Sequence, residues 1–300
     1  MSFAPTPGWL DWERNRSVPD LQLPVGTVDA HCHVFGPGDV YPFSPTRKYT
    51  PCDASKADLF QLHEDLGISR RVIVQATCHG TDNSALLEVL RTAPSSSRGV
   101  VSVSPEITEK ELSLLHEQGV RGVRFNFVKR LVSRSPFAEL KLIADRIKAF
   151  GWHIVIYFES ADLPELTDFL AGLPVPLVVD HMGRPDVSES AAGPEFTSFI
   201  SFVDRTSAWV KVSCPERISR SGPYAQSGEK HVYEDVAPFA RRVIREFPDT
   251  VLWGTDWPHP NLKSHMPDDA VLLNYLAQIT ESDAQLRRVL VDNPTTLYWA

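Results

Sequence analysis

The stretch VDAHCHVFGP, from Val28 to Pro37, brings an apolar run to two histidines separated by one residue and then breaks at Gly-Pro. The run is typical of a β-strand, in which residues i and i+2 project from the same face. His31 and His33 therefore share a face, which is the interior of a barrel if Asp29 joins them there. Cys32 then projects toward a helix, where we expect it to pack. We interpret the histidine pair as functional rather than as a simple strand cap.

The rest of the chain alternates short β-branched runs with amphipathic segments. The runs predict eight strands, at 27–33, 71–76, 99–104, 122–127, 153–158, 176–181, 208–213 and 251–256. Helical patterns lie between them, at 54–67, 82–92, 108–119, 135–151, 162–172, 193–205 and 233–247. Eight such units predict a closed (β/α)8 TIM barrel, a single domain over 1–300 with 1–25 as an N-terminal extension packed on it. The rival is a doubly wound open sheet, but the Gly-x-Gly-x-x-Gly loop that would favour it does not follow the first strand.

Charge and composition exclude several classes of partner. The net charge is −8 without a basic block, which argues against nucleic acid. No apolar run approaches the roughly 18 residues that span a bilayer, and the first residues do not resemble a signal peptide. The four cysteines are scattered and form no Cys-x-x-Cys pair, so we expect reduced thiols in a cytoplasmic protein. These features make no prediction of oligomeric state.

Polar residues collect at the predicted C-terminal ends of the strands, where barrels of this kind carry their catalytic groups. In chain order they include His31, His33, Thr77, His79, Arg124, Arg130, Tyr157, His181, Arg184, Arg217, Asp256 and His259. Asp256 follows an apolar strand, and a buried carboxylate is costly unless it is paired or hydrogen-bonded. We therefore assign Asp256 a function, and we leave His79 and His259 open between solvated and functional residues.

Four arginines follow predicted strands: Arg124, Arg130, Arg184 and Arg217. A single arginine in such a place usually forms a surface ion pair. Four at one mouth predict a site for carboxylates, because the guanidinium fork matches a carboxylate bidentately. A local cationic cleft focuses its own field, so the negative net charge does not oppose this prediction. We expect a ligand with two negative groups.

Three stretches, in order, resemble the amidohydrolase superfamily in its branch of lactone-hydrolysing (β/α)8 barrels: VDAHCHVFGP, VVDHMGRPD and LWGTDWPHPN. The similarity runs from about Gly26 to the C-terminal DNPTTLYW and includes YPFSPTRKY, VIVQATCHGTDN, GVRFNFVKRLV and GWHIVIYFE. A lone His-x-His is only moderately specific, whereas these stretches together are highly specific. The resemblance implies that the chain opens the ring of a small lactone bearing two carboxylates, within bacterial breakdown of aromatic compounds.

The resemblance also implies a role for each site residue. His31, His33 and His181 would polarise the lactone carbonyl, and Asp256 would be the base that activates water. The residues that would bind the two carboxylates and the ring are Tyr49, Thr77, Arg124, Arg130, Tyr157 and Arg217, with His259 nearby. We add Arg184 to these substrate-binding residues because it belongs to the arginine cluster. Donors aimed at the carbonyl oxygen stabilise the negative charge that grows there during attack.

Metal-dependent members of this superfamily generally add a lysine or carboxylate on strand four and a histidine on strand five. Here strand four ends RFNF, and Tyr157 stands near the position of the strand-five histidine. We therefore predict no metal and no other cofactor. The alternative is one Zn²⁺ at His31, His33, His181 and Asp256, since three protein ligands and a water also make a catalytic site.

Three other functions stay open at this point. One is a zinc-dependent lactonase for a related anionic ring such as 4-sulfomuconolactone, which metal analysis would reveal. Another is a decarboxylase of the same superfamily, which would release carbon dioxide. The third is a non-catalytic dicarboxylate-binding protein, but such a protein gives Asp256 and the three histidines no task.

Overall fold

Eight parallel strands in sequential order form the centre of the computed structural model, which describes residues 4–133, 135–222 and 232–300. The strands are β1 Val28–Cys32, β2 Arg70–Val74, β3 Ser97–Val101, β4 Val120–Asn126, β5 His153–Tyr157, β6 Leu177–Val179, β7 Trp209–Lys211 and β8 Val251–Leu252. Each strand pairs in parallel with the next. The predicted (β/α)8 barrel is confirmed.

Helices surround the strands. They are α1 Lys56–Leu66, α2 Ser84–Thr92, α3 Glu109–Glu117, α4 Phe137–Ile147, α5 Leu163–Ala171, α6 Pro194–Thr206, α7 Pro215–Ile218, α8 Ala237–Glu246, α9 Asp269–Ile279, α10 Asp283–Arg287 and α11 Asn293–Trp299. The seven predicted helical segments correspond to α1–α6 and α8. The sequence did not predict α9, because its side chains are buried nearly all round the helix and so lack the polar face that marks an amphipathic pattern.

Helix starts follow from local chemistry. Ser55 caps α1 by accepting from the Asp58 amide while the Asp58 carboxylate accepts from the Ser55 amide. Thr108 and Glu111 form the same reciprocal pair at α3. These boxes satisfy amides that a helix start otherwise leaves without partners. Gly67 ends α1 with φ at 74°, a left-handed conformation that glycine adopts without strain.

The lower barrel interior is apolar. It is filled by Val28, Ala30, Val72, Val74, Val100, Val155, Val178 and Leu252, with Tyr298 from α11 packed against them. The Tyr298 ring lies edge-on to His153, with ring centroids 5.0 Å apart. Because this end of the barrel is packed with side chains, a ligand can enter only from the opposite end, where the strands finish in polar residues.

β1 and the segment after β8 close the barrel. The Ala30 amide donates to the Trp253 carbonyl (2.9 Å), and the Asp256 amide donates to the His31 carbonyl (2.8 Å). Gly254 permits this approach, since a Cβ there would lie 2.3 Å from the His31 nitrogen. Closure therefore places the histidine pair directly beside Asp256.

The Asp29 side chain does not lie inside the barrel with His31 and His33. The sequence interpretation made that position of Asp29 the condition for an interior histidine pair, and the condition was wrong. The β1–β2 register shifts between Asp29 and Cys32, as in a β-bulge. Asp29 accepts from the Thr255 hydroxyl (2.6 Å) and the His31 amide (3.0 Å), and its other neighbour is His63 of α1 (3.1 Å). Asp29 thus holds β1, β8 and α1 together directly below the site.

The N-terminal segment covers part of the polar end, as far as residues 4–25 describe it. The indole of Trp12 lies against Trp257, with centroids 5.1 Å apart, and its Nε1 donates to the Asp53 carbonyl (3.0 Å). The Leu10 amide donates to the Leu262 carbonyl (2.9 Å). Among the described helices, none is long and apolar enough to cross a membrane.

Candidate active site

A pocket opens at the C-terminal ends of the strands and encloses about 370 Å³, part of it open to solvent. It is lined by His33, Tyr49, Thr77, Arg124, Asn126, Arg130, Leu131, Tyr157, His181, Arg217, Asp256, Pro260 and Asn261. The pocket therefore brings together most of the residues that the sequence singled out. His31 lies directly beneath it, whereas Arg184 and His259 stand behind its wall.

Three imidazoles converge on one oxygen of Asp256. The Nε2 atoms of His33, His31 and His181 lie 3.2, 3.4 and 3.8 Å from Asp256 Oδ1. His33 also places Nδ1 2.6 Å from the Val74 carbonyl, which can only accept, so that Nδ1 carries a hydrogen. Asp256 Oδ1 only accepts when it is ionised, so the 3.2 Å contact is a hydrogen bond only where His33 Nε2 bears a hydrogen. The arrangement offers a buried carboxylate surrounded by imidazole groups.

Arg217 holds the other oxygen of Asp256. Its Nε and Nη2 atoms both lie 2.7 Å from Asp256 Oδ2. Burial alone would raise the pKa of Asp256, but Arg217 and the three histidines outweigh burial and hold it well below its usual value. The carboxylate is therefore ionised at neutral pH, and the buried guanidinium stays charged because Asp256 raises its pKa.

The pocket floor contains a charged cluster that the sequence analysis missed in part. Lys211, at the end of β7, is fully buried with Nζ 2.9 Å from His31 Nδ1 and 3.1 Å from Asp180 Oδ1. Asp180 Oδ2 accepts from Arg124 Nη2 at 2.9 Å. The sequence does contain a signal that could have revealed this cluster. It is the lysine between Val210 and Val212 in an apolar strand, since an interior charge requires a partner.

Burial sets the charge of two histidines. It is the largest influence on the pKa of His31 and lowers it well below the usual value. The pKa of His181 falls to about 4, again chiefly through burial, although the carboxylates of Asp180 and Asp256 oppose the shift. His181 places Nδ1 3.0 Å from the Ser213 hydroxyl. Both rings are therefore neutral at neutral pH.

The remaining predicted binding residues form the rim and walls. Tyr49 is buried, with Thr77 donating weakly to its hydroxyl at 3.5 Å. Arg130 is about half exposed, and its Nε lies 3.4 Å from the Glu159 carboxylate. Arg184 donates to the Tyr157 hydroxyl (3.1 Å). Arg184 thus supports a lining residue instead of facing the pocket itself.

Four lining residues were not predicted: Asn126, Leu131, Pro260 and Asn261. Asn126 is the last residue of β4, and its position at a strand end was the signal that could have found it. Its amide oxygen accepts from the Val128 amide (2.9 Å), which shapes the loop that carries Arg130. Leu131 is an ordinary apolar loop residue, and no local pattern marks it.

His259 is buried behind Asp256, which corrects its predicted role beside the ligand. Its Nε2 lies 3.0 Å from Asp269 Oδ1 and its Nδ1 3.7 Å from Glu216 Oε1. Burial would lower the pKa of His259, but these two carboxylates raise it to about 10. Glu216 in turn lies 3.5 Å from Arg217 Nε. His259 therefore pairs with the two buried carboxylates that lie behind Arg217.

Left-handed backbone turns follow the strands at the site. His181, Cys214, Asp256 and His259 have φ between 52° and 62°, although none is glycine. Such conformations are unfavourable for these residues and persist where surrounding contacts determine them. At Asp256 the turn directly follows the closure of β8 against β1. The geometry of the carboxylate therefore depends on the packing of the whole barrel end.

The residues fit a metal only partly. Ligand atoms of His31, His33 and Asp256 lie within 4.8 Å of one another, and those of His181 group with Asp180 and His31 or with Cys214 and Asp256. A metal-bound imidazole usually donates its other N–H to an acceptor. His33 does so to Val74, but the aligned partner of His31 Nδ1 is the Lys211 donor at 2.9 Å, with the Asp180 carboxylate at 3.1 Å. His31, His33, His181 and Asp256 therefore meet only part of what a zinc site requires, because the aligned partner of His31 Nδ1 is a hydrogen-bond donor.

A family model described as Amidohydrolase matches residues 28–299. The chain belongs to the amidohydrolase family. The resemblance predicted from its motifs is confirmed.

Two relatives and one solved structure place the chain within that family. A 2-pyrone-4,6-dicarboxylate hydrolase of Comamonas testosteroni is 57% identical over 298 residues, covering 99% of this chain and 98% of that protein. A 4-sulfomuconolactone hydrolase of Hydrogenophaga intermedia is 35% identical over 279 residues, covering 92% and 89%. An apo crystal structure from Agrobacterium tumefaciens has a TM-score of 0.81 at 28% identity and covers 94% of this chain and 98% of its own. These amidohydrolase relatives are similar over nearly their whole lengths.

His259 gives a pH-dependent stability prediction. Its pKa of about 10 in the folded chain exceeds the roughly 6.5 of an unfolded histidine. Its stabilisation is therefore complete below about pH 6.5 and is lost as the pH rises through the folded pKa. Breaking a buried pair costs on the order of 3–5 kcal/mol. H259Q should lower the melting temperature most at mildly acidic pH, and the gap to the wild type should narrow toward pH 10.

His116→Gln is the matched control, because burial lowers the pKa of this histidine instead of raising it. H116Q should show no gap that closes as the pH rises. If the H259Q gap stays constant across the same range, His259 is not a charged partner of Asp269 and Glu216.

Proposed function

We propose that this amidohydrolase-family protein hydrolyses the lactone ring of 2-pyrone-4,6-dicarboxylate in bacterial protocatechuate breakdown. The product would be 4-carboxy-2-hydroxymuconate or its keto form, 4-oxalomesaconate. The observation that carries the proposal is one pocket in which Asp256 and imidazole groups face the arginines 124, 130 and 217. The 57% identity to a 2-pyrone-4,6-dicarboxylate hydrolase over 99% of the chain supports the substrate.

Carbonyl activation is assigned to the imidazoles. A pyrone ester is conjugated and already electrophilic, and attack by water builds negative charge on the carbonyl oxygen. Removing one preorganised donor to such an oxygen typically costs about 3 kcal/mol of transition-state stabilisation. The Nε2 atoms of His31, His33 and His181 gather around Asp256 Oδ1 at the floor of the pocket, within reach of a carbonyl oxygen bound beside that carboxylate. They therefore can supply donors without a Lewis acid, and we propose that the protein works without a metal.

Water activation is assigned to Asp256. The carboxylate would accept a proton as the water oxygen bonds to the carbonyl carbon, and the ring C–O bond would then break. The same proton can pass to the departing enolate oxygen, which balances the hydrolysis. Asp256 is a weak base while Arg217 holds it, because Arg217 lowers its pKa. A substrate carboxylate that shares Arg217 would weaken that ion pair and increase the basicity of Asp256.

Substrate carboxylates are assigned to the arginines. Arg124 is nearly buried beside Tyr157, with its guanidinium carbon 5.3 Å from the ring centroid, whereas Arg130 is half exposed at the rim. One deep and one outer cation suit a planar ring with carboxylates at separate positions. These contacts exist in both ground and transition states, so they serve mainly affinity and orientation.

A related anionic lactone is the second candidate. The 35% identity to a 4-sulfomuconolactone hydrolase favours it, and guanidinium groups also bind sulfonates. Both candidates are small-molecule hydrolases. We also propose a cytoplasmic location, which the free state of all four cysteines supports.

A substrate comparison tests the proposed function. Purified protein should remove the pyrone absorbance of 2-pyrone-4,6-dicarboxylate with higher kcat/KM than it shows for 4-sulfomuconolactone, and without releasing carbon dioxide. Preference for the sulfonated lactone would favour the second candidate. Carbon dioxide release would identify a decarboxylase, and binding without turnover would identify a dicarboxylate-binding protein.

Asp256→Asn tests the proposed base. The amide keeps the shape of the side chain but cannot accept the proton, so the lost interaction belongs to the transition state. General-base catalysis is worth about 10²–10⁴-fold, and kcat should fall by at least that order while substrate still binds. The measurement is steady-state hydrolysis together with ligand binding by calorimetry.

Asp186→Asn is the matched control, because Asp186 is a half-exposed carboxylate paired loosely with Arg220. It should keep wild-type kinetics. If D256N retains more than about a tenth of the wild-type kcat, well inside the lower limit of base catalysis, another group is the base.

A further inference from the structure

Lys211 does not touch the pocket, but it contacts one of the histidines beneath it. The role assigned to Lys211 below rests on the proposed function. Lys211 lies on β7 with its side chain fully buried. Its Nζ is 2.9 Å from His31 Nδ1, in hydrogen-bond alignment. An ammonium has three donors and no acceptor. A charged Lys211 can therefore contact His31 only if Nδ1 offers its lone pair.

Asp180 is the competitor for the same nitrogen. Asp180 Oδ1 lies 3.1 Å from His31 Nδ1, but this contact has an ion-pair distance without the alignment of the Lys211 hydrogen bond. The carboxylate also faces two cations, although its Oδ1 atom makes no well-aligned hydrogen bond to any described group. Lys211 Nζ lies 3.1 Å from Oδ1, and Arg124 Nη2 lies 2.9 Å from Oδ2. Asp180 can thus be paired without taking a hydrogen from the imidazole.

The two arrangements give His31 opposite chemistry in the pocket. If Lys211 donates to Nδ1, the single hydrogen of the neutral ring lies on Nε2, which points toward Asp256 Oδ1 at 3.4 Å. If Nδ1 instead donates to Asp180, Nε2 is a bare lone pair, the form that binds a metal. Only the first form can donate to a carbonyl oxygen.

We propose that Lys211 is a positioning residue that fixes His31 in the Nε2–H tautomer, so that His31 serves as a hydrogen-bond donor to the lactone carbonyl oxygen. Lys211 acts through His31 and is not a catalytic residue. The proposal gives the buried lysine a task beyond its ion pair with Asp180. It also accounts for the partial fit of the site to a metal.

The wild-type tautomer can be measured directly. Long-range ¹H–¹⁵N correlation spectra of ¹⁵N-histidine-labelled protein distinguish a protonated from an unprotonated ring nitrogen, and the His31 signals are assigned by their absence in H31Q. We expect a protonated Nε2 and an unprotonated Nδ1. A hydrogen on Nδ1 of His31 overturns the proposal. The spectrum needs no substrate, so it stays decisive even if the proposed lactone is not hydrolysed.

Lys211→Met removes the donor while keeping much of the side-chain volume. The His31 hydrogen should then move to Nδ1, toward Asp180, and kcat should fall by about 10²–10³, the effect of losing one such donor. KM should change little, because the arginines are untouched. K211R keeps a charged donor and should keep the Nε2–H tautomer. Retention of that tautomer in K211M overturns the proposal, whatever the kcat.

Lys141→Met is the matched control, because Lys141 lies exposed on α4 and pairs only with Asp145 among the contacts described for it. It should leave both the His31 tautomer and the kinetics unchanged. If K211M does not fold, the spectra of the wild type and K211R still decide the question.

Discussion

The arrangement of charged side chains at the polar end of this barrel depends on one buried carboxylate that must be paired. Asp256 is nearly inaccessible, and an ionised carboxylate in such a place is strongly unfavourable without partners. Arg217 supplies two contacts of 2.7 Å to one oxygen, and His33 approaches the other at 3.2 Å. Arg217 is itself buried and lies 3.5 Å from a second carboxylate, Glu216, which also lies 3.7 Å from His259 on its far side. The charges of the site are thus a connected set.

The same pairing explains how a ligand can change the site. Without a ligand, Arg217 keeps the pKa of Asp256 low, so the carboxylate is ionised but weakly basic. An anionic substrate bound to the arginines would compete for Arg217 and leave Asp256 more basic at the moment when a water must be activated. Recognition of the carboxylates and activation of water are then coupled through a single guanidinium.

The features that could be predicted from the sequence are those that depend on neighbouring residues in the chain. All eight strands were predicted from β-branched runs, and Asp256 and His181 from charges at strand ends. Features that depend on contacts across the barrel were missed. Nothing near β1 reveals the bulge that turns Asp29 away from His31, because the bulge depends on Thr255 and on α1. His259 was misplaced for a similar reason, since its partner Asp269 belongs to a helix without an amphipathic pattern.

We propose that imidazole donors, and not a metal, activate the lactone carbonyl. It is tested most directly by hydrolysis of 2-pyrone-4,6-dicarboxylate with protein that has been treated with a chelator and analysed for metal content. We expect full activity with far less than one equivalent of metal, and no gain in activity when zinc is added. Stoichiometric zinc whose removal abolishes activity, and whose return restores it, would show instead that His31, His33 and Asp256 are metal ligands.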